Sequence, residues 1–542
     1  MQSDTIDTFM KEAEEKAEEL QLPYDIERLL KQRYYQPGEN WEKLVDRVVN
    51  HVCQDDEEFK ETARYYIKNR IWLPNSPTLF NSGKKSGGLF ACFVVGPDRD
   101  TLEHHVDVLG DISVVGKRGG GCGFTGTFIR EEGASVAGSA HGYAYGPNAW
   151  ALRVSDYLAM ITQSGARSMA LMYTLRSDHP DLDKFIDLKQ TDDEKFAYNF
   201  NQSIMATDPW MQNAIDRKNG EYNQLKRIAK NAWRNGDPGL LFHTTINENT
   251  PYSTCSCNTI EASNPCGEVP LPSYGSCNLG SINLAHDEFF NENGSYNYAK
   301  LAEAAKALVR FLDNAGMQNI FPNEKFQKWY EDHRPIGVGV MGFADACLRQ
   351  ELTYGKQNSL SFLGAAMGVI SSSAIQESEK LGKERGIPEH CGRVGRRNIT
   401  VMSIAPTGSI GFIAGCSHGI EPVFSPKYKR TDERGEEYLF EHPLKNEPYF
   451  VSSIGENTPT WKEHIDVQSM SQAFVDSAVS KTINMPNDAS VEDVYEAIVY
   501  AWKKNCKGVT IYRDGSRQFQ ILEDVKEEDQ EILDCPDGIC QI

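Results

Sequence analysis

The chain has no apolar run of 18 or more residues, which argues against a membrane-spanning helix. Its opening stretch, MQSDTIDTFMKEAEEKAEEL, lacks the basic and apolar regions of a secretory signal, so a cytoplasmic location is expected. No internal repeat or low-complexity tract is visible. Positive charge is in short supply: 56 Lys and Arg stand against 77 Asp and Glu, a formal net charge of −21. That field repels long polyanions, so a nucleic-acid-binding surface is not expected, nor is a membrane partner. A small phosphorylated substrate stays possible, because a few aimed backbone N–H groups can hold it locally. The plain alternative is that the acidity only keeps a surface solvated.

What is present is a globular composition, 40% hydrophobic and 25% charged over 542 residues. Residues 1–71 read as helices, with apolar positions at helical spacing in WEKLVDRVVNHV and EFKETARYYIKNR. From Trp72 to about residue 517, short apolar runs ending in Gly, Pro, Asn or Ser alternate with longer helical patterns. That texture predicts an α/β barrel or wound sheet. In YAKLAEAAKALVRFLDNAG, residues Leu301, Ala304, Ala305, Leu308 and Leu312 mark one helix face. Ser490 with Asp493 forms a capping-box pattern, and Gly508 leads into a β-branched run, a helix-to-strand unit. Residues 518–542, acidic and weakly apolar, read as a mobile arm.

Thirteen cysteines are an odd count, which argues against complete pairing within the chain. In a reducing compartment they are not expected to be permanent staples. The stretch SNPCGEVPLPSYGSCNLGSINL places Asn264, Cys266 and Glu268 at alternate positions, on one face if extended. A thiol, a carboxylate and an amide at one point make a plausible reaction centre; the bland reading is a tight loop with an inert cysteine. The prolines around it suggest a stiff loop rather than a ladder strand.

Cys535-Pro-Asp-Gly-Ile-Cys540 puts two thiols on a turn near the end of the arm, suited to disulfide exchange. Half a zinc site is the competing reading, with no paired Cys or His motif nearby to complete it. Cys255 and Cys257 with Cys266 and Cys277 could be drawn as a four-thiolate site, but the spacing is not that of a zinc ribbon, and no metal is assigned. Two turns, Pro74 to Thr78 and Pro406 to Ile410, offer hydroxyls and N–H groups to phosphate, although neither is a GxxxxGK[ST] loop. Each could equally be an ordinary turn.

Taken in order, LPNSPTLFNSG, ACFVV, NPCGEVPLPSYGSCNLGSINL, IAPTGSIGFIAGCSHGIEP and CKGVTIYRDGSR resemble the ribonucleotide reductases, most of all the class II, adenosylcobalamin-dependent branch. The resemblance implies a ten-stranded α/β barrel with a central finger loop carrying Cys266, preceded by a short N-terminal helical region. It implies that Cys266 carries a thiyl radical, that Glu268 takes the 3′-hydroxyl proton and that Asn264 holds substrate hydroxyls. Cys92 and Cys277 would supply electrons and end as a disulfide. Cys535 and Cys540 would reduce that disulfide and be recharged by a thioredoxin- or glutaredoxin-like protein.

By the same resemblance, Ser76, Thr78 and Ala91 with Pro406, Thr407, Gly408, Ser409 and Ile410 would hold the ribonucleotide substrate. Asp100 and Arg130 would contact a deoxynucleoside triphosphate effector, with Gly165 to Met172 as the relay loop. There the family's arginine-rich wording is replaced by SGARSMALM. The N-terminal stretch is too short for the family's optional ATP-sensing cone, and a homodimer is compatible with the pattern. No glycyl-radical motif marks class III. Tyr512 has no tyrosine after it, so the tyrosine pair of class I is missing; a class I subunit needing a separate metal protein is the alternative. A zinc-binding nucleotide-binding regulator is the more distant one.

Overall fold

The computed structural model describes residues 24–516 and 522–524, apart from 97, 137–141, 161, 164–166, 191–199, 219, 255–258, 432–436, 443 and 455–456. Five strands run parallel in sequence order: β1 (Cys92–Val94), β2 (Gly121–Thr125), β3 (Leu171–Arg176), β4 (Phe200–Ala206) and β5 (Gly239–Phe242). Their residues are nearly all buried, as expected when helices cover one side of a parallel sheet and a packed interior the other. Helices such as Leu102–Lys117, between β1 and β2, make the crossovers.

A second parallel set follows: β6 (Ser276–Asn283), β7 (Ile336–Met341), the segment 402–404, β8 (Thr482–Met485) and β9 (Gly508–Arg513). The unnamed segment joins through parallel bridges, Val338 with Met402 and Ile404 with Val479. The two sets meet antiparallel at both seams, β1 with β6 and β5 with β9. The ring therefore closes into two five-stranded parallel halves of opposite direction. One consequence governs the site: the N-terminal ends of β1 to β5 and the C-terminal ends of β6 to β9 share one mouth.

The helix Tyr298–Gln318 buries Leu301, Ala304, Ala305, Leu308 and Leu312, the face expected from their spacing. It lies close against β6 because Gly280 has no side chain; a Cβ there would come within 2.7 Å of Leu308 Cδ1. Ser490 and Asp493 form the capping box of Val491–Lys503, which feeds β9. The N-terminal helices Trp41–Val52 and Lys60–Lys68 pack on Tyr298–Gln318.

One long helix bears on the membrane expectation, and the expected arm needs correction. The helix Gln357–Arg385 is long and apolar enough to cross a membrane by composition, yet half of its apolar window is buried and it packs along Tyr298–Gln318. It reads as a core helix. The expected arm also contains structure: Leu522–Asp524 forms a strand against Lys427–Thr431. Residues 518–521 and 525–542 lie outside the described residues, and with them Cys535 and Cys540.

Beneath the barrel wall sits a buried ion cluster. Asp313 is fully buried and accepts from Arg334 at 2.8 Å, Arg397 at 2.9 Å and Arg385 at 2.8 Å. Burial alone would push its carboxyl up, but the three guanidinium groups hold it down to about 2. Arg385 also reaches Asp56, tying the N-terminal helices to the barrel.

Candidate active site

Between β5 and β6 the chain turns into the ring as a narrow finger. Ala262–Ser263 pairs antiparallel with Pro270–Leu271, and the tip closes with Gly267 N donating to Asn264 O at 3.0 Å. Gly267 sits at φ +83°, a conformation that favours glycine. Both halves of the barrel grip the finger. Thr174 Oγ1 donates to Glu261 O at 2.6 Å and Asn201 Nδ2 to Pro265 O at 2.7 Å. From the other half, Ser403 Oγ and Ala478 N both donate to Glu268 O, at 3.0 and 2.8 Å. A Cβ on Gly123 would come within 1.8 Å of Ser263 O, so the finger can lie against β2 only because that residue is glycine.

These contacts give the finger a direction. It enters level with the end of β3, at Thr174, and its tip reaches Gly121 and Asn201, at the beginnings of β2 and β4. The tip thus lies at the shared mouth rather than mid-barrel. Of the nine described cysteines, Cys266 alone is exposed. It is presented at an open end while its loop neighbours Asn264 and Glu268 are buried.

Asn264 and Glu268 converge through this tight turn, not through the alternation of an extended strand. Asn264 Nδ2 donates to Cys92 Sγ at 3.2 Å, and its Oδ1 accepts from Val269 N at 2.9 Å. Cys92 Sγ lies 3.9 Å from Glu268 Oε1. Glu268 Oε2 has no hydrogen-bond partner among the described residues, an open acceptor inside the barrel. Burial pushes the Glu268 carboxyl up to about 7.

Cys277 stands directly opposite Cys92 in the β1–β6 register. Residues so opposed have Cα atoms about 4.5–5.5 Å apart, inside the window of about 4.4–6.8 Å that a disulfide needs. Both are free thiols, and burial pushes both well above the ordinary cysteine range, so they stay protonated. Cys266 adds to the electrostatic field at Cys92, which places all three sulfurs in one neighbourhood. Two neutral thiols, a carboxyl that titrates near neutrality and an exposed third thiol can together deliver hydrogen and accept a proton.

The remaining candidates fall at different distances from this chemistry. Thr407 adopts φ +56° and its Oγ1 accepts from Gly419 N at 2.7 Å, which folds Pro406 and Thr407 over the start of the helix Gly408–Ala414. Ser409 is half-buried and Ile410 buried. The loop follows segment 402–404 and so opens at the Cys266 mouth. Ser76 bonds Tyr34 Oη at 2.8 Å, Thr78 is fully buried with its hydroxyl donating to Leu89 O, and Ala91 O accepts from Gly121 N at 2.8 Å.

Asp100 and Arg130 meet as an ion pair, with Arg130 N also donating to Asp100 Oδ2 at 3.1 Å. In the relay stretch Gly165 lies outside the described residues, whereas Leu171 and Met172 are buried in β3. Among the described residues no group of His, Cys, Asp and Glu could hold a metal; Cys255 and Cys257 lie outside them.

Sequence reading missed Asn75 and Asn278. Asn75 Nδ2 donates to Asn278 Oδ1 at 2.8 Å, and Asn278 Nδ2 is buried with no partner among the described residues, one position after Cys277. The only signal was their place inside the LPNSP and SCNLG segments.

Comparison with known proteins agrees with this geometry. The family described as "Ribonucleotide reductase, barrel domain" matches residues 90–225, 222–392, 387–458 and 437–512. A vitamin B12-dependent ribonucleoside-diphosphate reductase of Thermoplasma acidophilum is 34% identical, over 85% of this chain and 67% of that protein. One of the same name from Mycobacterium tuberculosis is 33% identical, over 93% of this chain and 81% of that protein. The solved structure of the Actinobacillus ureae class Id ribonucleotide reductase alpha subunit superposes with a TM-score of 0.79 at 19% identity, covering 91% of this chain and 97% of that one. The chain belongs to the ribonucleotide reductases.

Proposed function

We propose that this chain reduces ribonucleoside diphosphates to 2′-deoxyribonucleotides with adenosylcobalamin as radical source. The observation that carries the reading is the convergence of Cys92, Cys277, Asn264 and Glu268 behind the exposed Cys266. The relatives' names supply the diphosphate and the vitamin.

When bound, adenosylcobalamin supplies a radical by homolysis of its cobalt–carbon bond. The chain's own residues would meet such a group at the mouth through the exposed Cys266 thiol, beside Pro265, whose carbonyl accepts from Asn201. Cys266 as a thiyl takes the hydrogen from C3′ of the ribose. Glu268 accepts the 3′-hydroxyl proton through its open Oε2, and Asn264 orients the hydroxyls. As the 2′-oxygen leaves as water, Cys92 and Cys277 give up two protons and two electrons and close into a disulfide. Cys266 then returns its hydrogen to C3′. One ribonucleotide and two thiols become one deoxyribonucleotide, one disulfide and one water.

The rest of the assignment follows the resemblance. Cys535 and Cys540 reduce the new disulfide and are recharged by a thioredoxin- or glutaredoxin-like protein in the cytoplasm. The Pro406–Ile410 loop, with Ser76, Thr78 and Ala91, lies along the substrate, and Asp100 with Arg130 contacts a nucleotide effector. The chain divides as a helical region 1–71, a barrel 72–517 and a redox tail 518–542.

The test is the purified chain with adenosylcobalamin, a small dithiol and each ribonucleoside di- and triphosphate. Deoxynucleoside diphosphates should form with no second protein. Turnover that begins only when a metal-containing subunit is added would support the class I alternative instead.

A further inference from the structure

The mouth opposite Cys266 gathers the C-terminal ends of β1 to β5, and the finger starts there. Arg176 is the last residue of β3; His243 follows directly on β5 and opens the helix His243–Glu248. Glu261, at the finger's base, reaches both. Its Oε1 accepts from Arg176 Nη1 at 3.1 Å and lies 3.2 Å from His243 Nε2. A carboxylate only accepts, so His243 Nε2 carries the shared hydrogen. One side chain thus spans from the third barrel strand to the fifth, across β4. The Glu261 side chain is 4% exposed, whereas Arg176 is partly exposed and also bonds Asp178 Oδ1 at 2.7 Å.

The neighbouring residue is held as firmly. Asn247, four positions after His243 and so on the same helix face, pairs with Ile260 as a strand would. Its Oδ1 accepts from Ile260 N at 2.8 Å and its Nδ2 donates to Ile260 O at 3.1 Å. Only five positions separate Glu261 from Cys266. Pro265 stiffens that span, and the pairing of Ala262–Ser263 with Pro270–Leu271 ties it to the returning limb. A shift at the base is therefore passed to the tip. Glu261 Oε2, by contrast, is buried with no hydrogen-bond partner among the described residues. The grip runs through one oxygen, so a glutamine can make both contacts through its own carbonyl.

We infer that Glu261 is a positioning residue, whose clamp on Arg176 and His243 sets the level at which the finger presents Cys266 and Glu268. The inference rests on the proposed roles of those two groups. Glu261 itself stands at the far mouth and touches neither substrate nor thiol in that scheme. Its bond to a guanidinium is charge-assisted and so resists displacement better than a neutral one.

The test compares Glu261→Ala with Glu261→Gln in the full-length holoenzyme. Glu261→Ala frees the base, and because Arg176 keeps Asp178, no buried charge is left without a partner. A displacement of about 1 Å at the reacting groups costs roughly 100-fold in rate. In Glu261→Ala kcat should fall by about that factor, while the ribonucleotide KM and the melting temperature stay near the parent values. Glu261→Gln should restore most of the lost kcat. Amide exchange at Ile260 and Asn264 should quicken in Glu261→Ala and return to the parent rate in Glu261→Gln. A parent-like kcat in Glu261→Ala would overturn the clamp, as would a Glu261→Gln variant equally slow, since charge and not grip would then matter. A KM that rises and a melting temperature that drops in step with kcat would assign Glu261 a merely structural role and overturn it too. Should Cys266→Ser keep turnover, the reading of Cys266 fails instead, and unchanged exchange at Ile260 in Glu261→Ala would still sink the clamp by itself.

Discussion

Cys92 and Cys277, 185 positions apart in the chain, face each other across the antiparallel seam that joins the two halves of the barrel. Because backbone pairing already sets their separation, closing a disulfide needs side-chain rotation and little backbone movement. Mild oxidation of the substrate-free protein should therefore link these two residues, with a melting temperature within a few degrees of the reduced form. Peptide mapping under non-reducing conditions checks the link.

In its proposed role Glu268 accepts a proton only when ionised, and burial holds its carboxyl at about 7. Turnover limited by the chemical step should rise with pH through that value. Its folded pKa lies above the unfolded one, so the native state is favoured at low pH and loses that advantage as pH climbs from about 4.5 to 7. Ionising the buried group costs on the order of 3 kcal/mol. Glu268→Gln should abolish turnover yet melt higher than the parent at pH 8, the gap shrinking toward pH 5. Thermal denaturation at both pH values decides it.

Gly123 allows the finger to lie against β2. Gly123→Ala places a methyl within 1.8 Å of Ser263 O, and that backbone must shift. A displacement of about 1 Å at a reacting group costs roughly 100-fold in rate. The variant should keep the parent's far-UV circular dichroism while its turnover falls by about that factor.

Asp313 pairs with two buried arginines, Arg334 and Arg397, and with the half-buried Arg385. Asp313→Asn leaves Arg334 and Arg397 without their counter-ion, a change worth roughly 3–5 kcal/mol. Urea unfolding should show a midpoint lowered accordingly, and Arg385→Met, which retains two of the three partners, should lower it less.

Much of this arrangement was legible in the sequence because it is local. The finger's turn is written in Asn264, Pro265 and Gly267, the helix cap in Ser490 and Asp493, and the alternation of strands and helices in the spacing of apolar runs. What stayed hidden depends on long-range register. Nothing near Cys92 says that Cys277 lies opposite, or that Asn75 reaches Asn278. The exposure of Cys266 was not legible either. The resemblance implies a central finger carrying Cys266, and both halves of the barrel do grip that finger; the level of its tip, at the first residues of β2 and β4, is set by long-range packing. The strand Leu522–Asp524 was read as part of an open arm because its partner, Lys427–Thr431, is almost a hundred residues away.

In the proposed mechanism Cys266 starts the reaction that closes Cys92 and Cys277. One anaerobic turnover, with adenosylcobalamin, a ribonucleoside diphosphate and a Cys535→Ser chain lacking external reductant, measures this directly. The parent Cys266 background should yield one deoxynucleotide and one Cys92–Cys277 disulfide per chain, and the Cys266→Ser background neither, while still binding nucleotide. A disulfide and product formed without Cys266, or product formed with Cys92 and Cys277 still reduced, would contradict it.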